Sequence, residues 1–180
     1  MHKSLVHFDQ QNAIQFVTFR TQASIAYYLD NYIIQTDQST SKQQQHVDKI
    51  LDNTAEGAIL NGELINLLIN FFKSKDNLDY KLIAVSIMPN HIHILFQQLI
   101  PLPSIMHHIK GASANLINKH NAQTGALWDK SYFDKAIKDD KQFQITYQYI
   151  KNNAYKANLA DADKRFYGIY ENECNNNVEV

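Results

Sequence analysis

The sequence predicts an α+β domain, a central antiparallel sheet with helices packed on it, and three observations predict it. Two runs rich in β-branched and aromatic residues, Tyr80 to Ile87 (YKLIAVSI) and His91 to Phe96 (HIHILF), are split only by Met88-Pro89-Asn90. Pro presets φ and Asn suits turn geometry, so the two runs read as an antiparallel hairpin. Between Val47 and Phe72 the apolar residues recur at spacings of three and four, which is the helical period. The chain has 180 residues, 44% of them apolar and 19% charged, enough for one domain with a sizeable core.

The elements follow in order. Ile14 to Arg20 (IQFVTFR) reads as a first strand, and the polar run 36–46 as a loop or a frayed helix start. The helical run from Val47 to Phe72 is expected to break near Gly57 or Gly62. After the hairpin, Pro101 and Pro103 precede a helix from Ser104 to His120 with Ser104 as its expected N-cap. A loop from Gly125 leads to a short strand at Phe133 to Ile137. Asp139 or Asp140 can cap a last helix running to about Asn158. Residues 1–160 read as one domain and 161–180 as an acidic, flexible tail.

Composition narrows the function classes. The single cysteine, Cys174, excludes a disulfide framework and a Cys-based zinc module, and suits a reducing cytoplasm, the expected location. The first ten residues lack the apolar core of a signal peptide, and no apolar stretch is long enough to span a bilayer, so no membrane partner is expected. Net charge is −1 overall but unevenly spread: −2 over residues 1–107, +4 over 108–156 and −3 over 157–180. A local basic block can serve phosphate contacts whatever the global charge. It can equally be a solvated helix face.

Two constellations carry chemistry. His91 and His93 flank Ile92 on a strand, where alternate side chains share a face, so the imidazoles stand together and can share a divalent ion. Two surface histidines on a wet sheet face would give the same pattern. On the last helix, Phe143, Tyr147 and Ile150 make the apolar stripe, while Tyr149, Asn153 and Lys156 align a phenol, a carboxamide and an ammonium on a second face. That face is also compatible with a tyrosine that merely half-buries its ring. Joined, the two imidazoles and the carboxamide can hold Mg²⁺ or Mn²⁺ with coordination sites left open, and the tyrosine beside them can attack phosphorus.

The segment VSIMPNHIHILF resembles the signature strand of HUH nucleases in the form seen in single-tyrosine transposases. FVTFRT, IKGASANLIN, GALWDKSYFDKAIKDD and YIKNNAYKANL follow the same family in order, so that residues 14 to about 160 resemble the REP-associated tyrosine transposases and their insertion-sequence relatives. The resemblance implies a ferredoxin-like or RRM-like sheet with helices on one face. It implies a transposase that cuts and rejoins single-stranded DNA, often near a hairpin-forming repeat, as a monomer or a homodimer. His91 and His93 match the metal-binding histidines, with Mg²⁺ or Mn²⁺ as cofactor. Tyr149 matches the nucleophile that forms a 5′-phosphotyrosine link, and Asn153 the polar ligand four residues on. Tyr132, Tyr155 and Tyr167 have Ala136, Leu159 and Glu171 at that offset and lack the carboxamide. Lys110, Lys151 and Lys156 of the basic block, joined by Arg20, are the expected phosphate contacts. The usual Asn-Pro is here Asn153-Ala154, and the usual Gly after the helix is Asn158; neither change removes a chemical group from the site. The alternative is a domesticated, non-catalytic protein that binds single-stranded or hairpin DNA. A histidine-triad hydrolase would need a third histidine where Leu95 stands, and no HExxH is present for a zinc hydrolase.

Overall fold

β2 (Tyr80–Ile87) and β3 (His91–Gln98) form the expected hairpin around Met88-Pro89-Asn90, and β1 (Ile14–Arg20) pairs with the far edge of β3. β4 (Phe133–Ile137) adds to β1 and β5 (Phe166–Gly168) to β2, giving a five-stranded sheet in the order β4-β1-β3-β2-β5 with every pair antiparallel. These strands belong to a computed structural model, which describes residues 9–31 and 41–172. Five helices accompany them: α1 (Gln22–Asn31), α2 (Ser41–Leu51), α3 (Glu63–Ser74), α4 (Leu102–His120) and α5 (Asp140–Lys156).

The sheet is covered on both faces, which corrects the expectation of helices on one. Val17, Phe19, Ile92, Ile94 and Phe96 point to one side and pack with Leu64, Leu68 and Phe72 of α3 and Ile105 and Ile109 of α4. Phe16, Ala84 and Leu95 point to the other and pack with Tyr147 and Ile150 of α5. β3 is therefore buried on both sides, so its two histidines lie under a helix rather than on a wet face.

Local chemistry sets the boundaries. The helical run breaks across Gly57 and Gly62, whose φ values of 68° and 60° favour glycine. Ser41 to His46 of the polar run are the start of α2, while residues 36–40 lie outside the described residues. α4 begins two residues before the expected start. Pro101 occupies its N-cap with no side-chain cap bond, so Ser104 lies inside the first turn, where Pro103 is tolerated because no N–H is needed. Asp139 caps α5, its carboxylate accepting from Gln142 N at 2.7 Å. The helix stops at Lys156, and Asn158 takes a left-handed φ of 54°, the conformation that glycine usually supplies.

The expected flexible tail is corrected over residues 161–172, which are folded onto the domain. The buried guanidinium of Arg165 donates to Leu60 O at 3.0 Å, Ile87 O at 2.8 Å and Asn61 Oδ1 at 2.6 Å, and it pairs with Asp161. β5 follows directly and closes the β2 edge. Residues 173–180, Cys174 among them, lie outside the described residues. A Cβ on Gly168 of β5 would collide with Tyr147 Oη and come within 2.7 Å of Phe166 Cζ. Gly168→Ala is accordingly expected to destabilise the domain by about 1–3 kcal/mol, the usual cost of overpacking, measured by urea unfolding.

Candidate active site

Register builds the site. Cross-strand pairing sets Thr18 beside His93 and Arg20 beside His91, all four on the face under α5. Both imidazoles are fully buried, with their Nε2 atoms 3.1 Å apart. Asn90 Nδ2 donates to Leu51 O at 2.9 Å, which turns Asn90 Oδ1 toward His91 Nδ1 at 2.8 Å. An amide oxygen only accepts, so His91 carries its proton on Nδ1 and presents a lone pair at Nε2. His93 Nδ1 has Thr18 Oγ1 at 2.8 Å as its partner, which lets its Nε2 do the same. Outer partners of this kind orient histidine ligands in metal sites. Phe16 stacks on the His93 ring at 5.7 Å and holds its plane.

α2 supplies what the sequence reading missed. Asp48 lies buried against the histidines, and one oxygen of Asp48 and one nitrogen each of His91 and His93 fall within 4.8 Å of one another. Asp48 Oδ2 is 3.9 Å from His93 Nε2, and Oδ1 accepts from Arg20 at 2.5 Å and from Gln44 at 3.1 Å. Tyr149 of α5 donates its hydroxyl to the same Asp48 Oδ2 at 2.8 Å, and its ring lies 5.4 Å from that of His93. Asn153, one turn further along α5, is buried, and its Nδ2 has no hydrogen-bond partner. Tyr147 instead sits in the apolar stripe and points its hydroxyl at Glu171.

Charge in this pocket is tightly managed. Burial opposes ionisation of Asp48, but Arg20 first, then His93, His91 and the Tyr149 hydroxyl, together hold the carboxyl below its usual range. Burial pushes His93 down to about 4 and His91 well below its ordinary value. The imidazoles are thus neutral at pH 7, so the 3.9 Å approach to Asp48 is not an ion pair. Burial, then the Asp48 charge, raises the Tyr149 phenol, which rests protonated. Asp52, whose Oδ1 lies 3.9 Å from His91 Nε2, is pushed up to about 7 by burial and by Asp48.

These shifts give opposed pH dependences without a bound ion. Unfolded histidine takes its proton near pH ~6.5, and folded His93 only near 4, so the fold loses stability as pH falls through that window. Asp52 acts oppositely: its folded carboxyl is protonated from about 7 downward, so it adds stability as pH falls. Asp52→Asn removes the offset. Its stability in EDTA is expected to drop more steeply between pH ~6.5 and ~4 than that of the parent, and equal slopes in urea unfolding would contradict the opposition.

The four expected phosphate contacts do not share one environment. Arg20 is buried against Asp48, and Lys110 turns inward, its ammonium donating to the carbonyl oxygens of Asp129, Lys130 and Ser131. Both cations, expected at phosphates, are thus engaged within the chain. Lys151 pairs with Glu171 at 2.7 Å, and Lys156 lies 6.0 Å from the Tyr149 ring centroid. The signal for Asp48 was present in the sequence: Asp48 and Asp52 stand four apart, hence on one helix face, within a run read only for its apolar positions.

No helix among the described residues is long and apolar enough to cross a membrane. No curated protein matches the chain. Two solved structures are similar in shape. One is a REP-associated tyrosine transposase bound to a REP hairpin, 14% identical over 86% of this chain and 74% of that one, with a TM-score of 0.49. The other is a candidate transposase from Deinococcus radiodurans R1, 18% identical over 84% and 97%, with a TM-score of 0.47. The sequence model of the family described as "Transposase IS200 like" matches residues 39–153, a stretch that contains Asp48, both histidines, Tyr149 and Asn153. With most of its length matched, the chain belongs to the IS200-like transposase family.

Proposed function

We propose that this transposase cuts and rejoins single-stranded DNA by transesterification through Tyr149, with a divalent ion, Mg²⁺ or Mn²⁺, held by His91, His93 and Asp48 and assisted by Asn153. One observation carries the reading: Tyr149 Oη shares Asp48 Oδ2 with the histidine pair, so nucleophile and ligands converge from α5, α2 and β3. The donor set fits an ion, since two nitrogen lone pairs and a carboxylate oxygen face a common point. Such an ion polarises the phosphodiester and stabilises charge developing on its oxygens.

The protein's own groups do the rest. Tyr149 Oη bonds to phosphorus as the bond to the 3′ oxygen breaks, giving a 5′-phosphotyrosine link and a 3′-hydroxyl. The phenol proton has Asp48 Oδ2 as its acceptor at 2.8 Å, and the departing 3′ oxygen takes a proton from solvent. Rejoining is the reverse displacement by a 3′-hydroxyl. Lys156, exposed beside the tyrosine, and Lys151 are the proposed phosphate contacts. Lys156→Ala is expected to lower the salt slope of single-strand binding by about 0.7, one phosphate contact. Lys151→Ala should do less, because that ammonium must first leave Glu171.

The direct test mixes the protein with end-labelled single strands carrying a hairpin, in MnCl₂ or MgCl₂. The expected product is a labelled band that survives denaturant and is lost in EDTA. Binding without any such band would instead favour the non-catalytic DNA-binding alternative.

A further inference from the structure

We infer that the hollow beside Tyr149 is a nucleobase pocket, which takes the base of one nucleotide bordering the scissile phosphate and sets a preference for which base stands there. The inference rests on the strand-cutting reading above and adds to it a subsite and a source of sequence preference.

The hollow lies between α2, α5 and the β4 edge of the sheet, and Tyr149 forms one of its walls. Strand register builds it as it builds the site. Phe16 pairs with Lys135 and Thr18 with Phe133, so Phe133 and Lys135 share the face under α5 with Phe16. The rings of Phe16 and Phe133 meet edge to face at 6.2 Å, and Phe16 stands edge-on to the Tyr149 ring at 6.0 Å. Aromatic surface thus runs from the hollow to the nucleophile.

Size and chemistry select the occupant. The accessible volume is about 70 Å³, and one water needs about 10–15 Å³ of it, so the space of roughly five to seven waters is on offer. That fits one planar heterocycle and no folded element. Single strands are held on such aromatic surfaces because every base has a π-face. Ile145 lines the hollow with 61% of its surface in water. An exposed aliphatic residue is ordinary by itself, but here it extends the apolar wall beside the nucleophile. Gln45, exposed on α2, adds a carboxamide that can both donate to and accept from a base edge. The Asp48 carboxylate also lines the hollow and disfavours a phosphate inside it, so the neutral base is the part that enters. Lys135, from the same lining, supplies a cation for the phosphate of that nucleotide.

The test uses the full chain and end-labelled hairpin strands in MnCl₂, with the cut mapped from the length of the released fragment. Strands abasic at the nucleotide on the 5′ or on the 3′ side of the cut are then compared with the intact strand. At the pocketed position, loss of the base should slow adduct formation by about tenfold or more, the worth of one stacked base. Ile145 is exposed, so its substitution leaves the fold intact. Ile145→Ala should slow the adduct about fivefold on the intact strand and leave the rate on that abasic strand unchanged. The four bases at that position should react at different rates, and Gln45→Ala should narrow the spread. Undiminished rates on both abasic strands, or equal slowing of intact and abasic strands by Ile145→Ala, would overturn the pocket while leaving the Tyr149 chemistry standing. Equal rates for all four bases would overturn the preference, and a spread unchanged by Gln45→Ala would overturn the part given to its carboxamide. No adduct between the parent and any strand would overturn both readings.

Discussion

Tyr149→Phe is expected to abolish the covalent protein–DNA adduct while leaving single-strand binding intact. The ring remains packed edge-on against Phe16 at 6.0 Å and beside His93 at 5.4 Å, so only the attacking oxygen is lost. Asp48 keeps Arg20 and Gln44 as donors, which limits the stability cost to about 1 kcal/mol. Tyr147→Phe should retain the adduct, because that hydroxyl faces Glu171 from within the apolar stripe. A denaturing gel of labelled strand with each variant decides the matter. An adduct surviving in Tyr149→Phe and missing in Tyr147→Phe would move the nucleophile to Tyr147.

The largest effect on stability is expected from Arg20→Ala. Removing one partner of a buried ion pair leaves the other charge uncompensated, at a cost of roughly 3–5 kcal/mol. For a domain of this size that is a fall of roughly 6–20 °C in melting temperature. Without the guanidinium, Asp48 also loses the first of the influences that hold its carboxyl ionised, so Mn²⁺ affinity should fall as well. In an Asp48→Asn background the cost of Arg20→Ala should shrink, and a double-mutant cycle by urea unfolding measures that coupling. An Arg20→Ala variant that melts normally and changes only the salt dependence of DNA binding would return the arginine to the phosphate surface.

How legible each part was in the sequence depended on the range of the forces that made it. The hairpin, β1, β4 and the capped α5 were readable because period and turn chemistry act over a few residues. His91 with His93, and Tyr149 with Asn153, were readable as pairs because strand and helix periods act within one element, and only the family resemblance joined the two pairs. The partners of Arg20 and Lys110 were unreadable for the opposite reason. Either residue looks like a surface cation until Asp48, 28 residues from Arg20, or the carbonyls of 129–131 are brought against it. β5 is three residues long and depends on Arg165 reaching Leu60 and Ile87, bonds that span 105 and 78 residues and leave no local pattern.

The strand order also bears on how the activity comes into being. β1 pairs with β3 across some 80 residues and with β4 across still more, so the sheet is built almost wholly from distant partners apart from its one hairpin. Chains dominated by such pairings pay loop-closure entropy before any contact repays it and fold slowly, on the ms–s scale. Asp48, the histidines and Tyr149 meet only once β1, β3, α2 and α5 have all docked. During synthesis, Tyr149 therefore cannot stand beside Asp48 and the histidines until α5 has left the ribosome, so the arrangement exists only in the assembled domain.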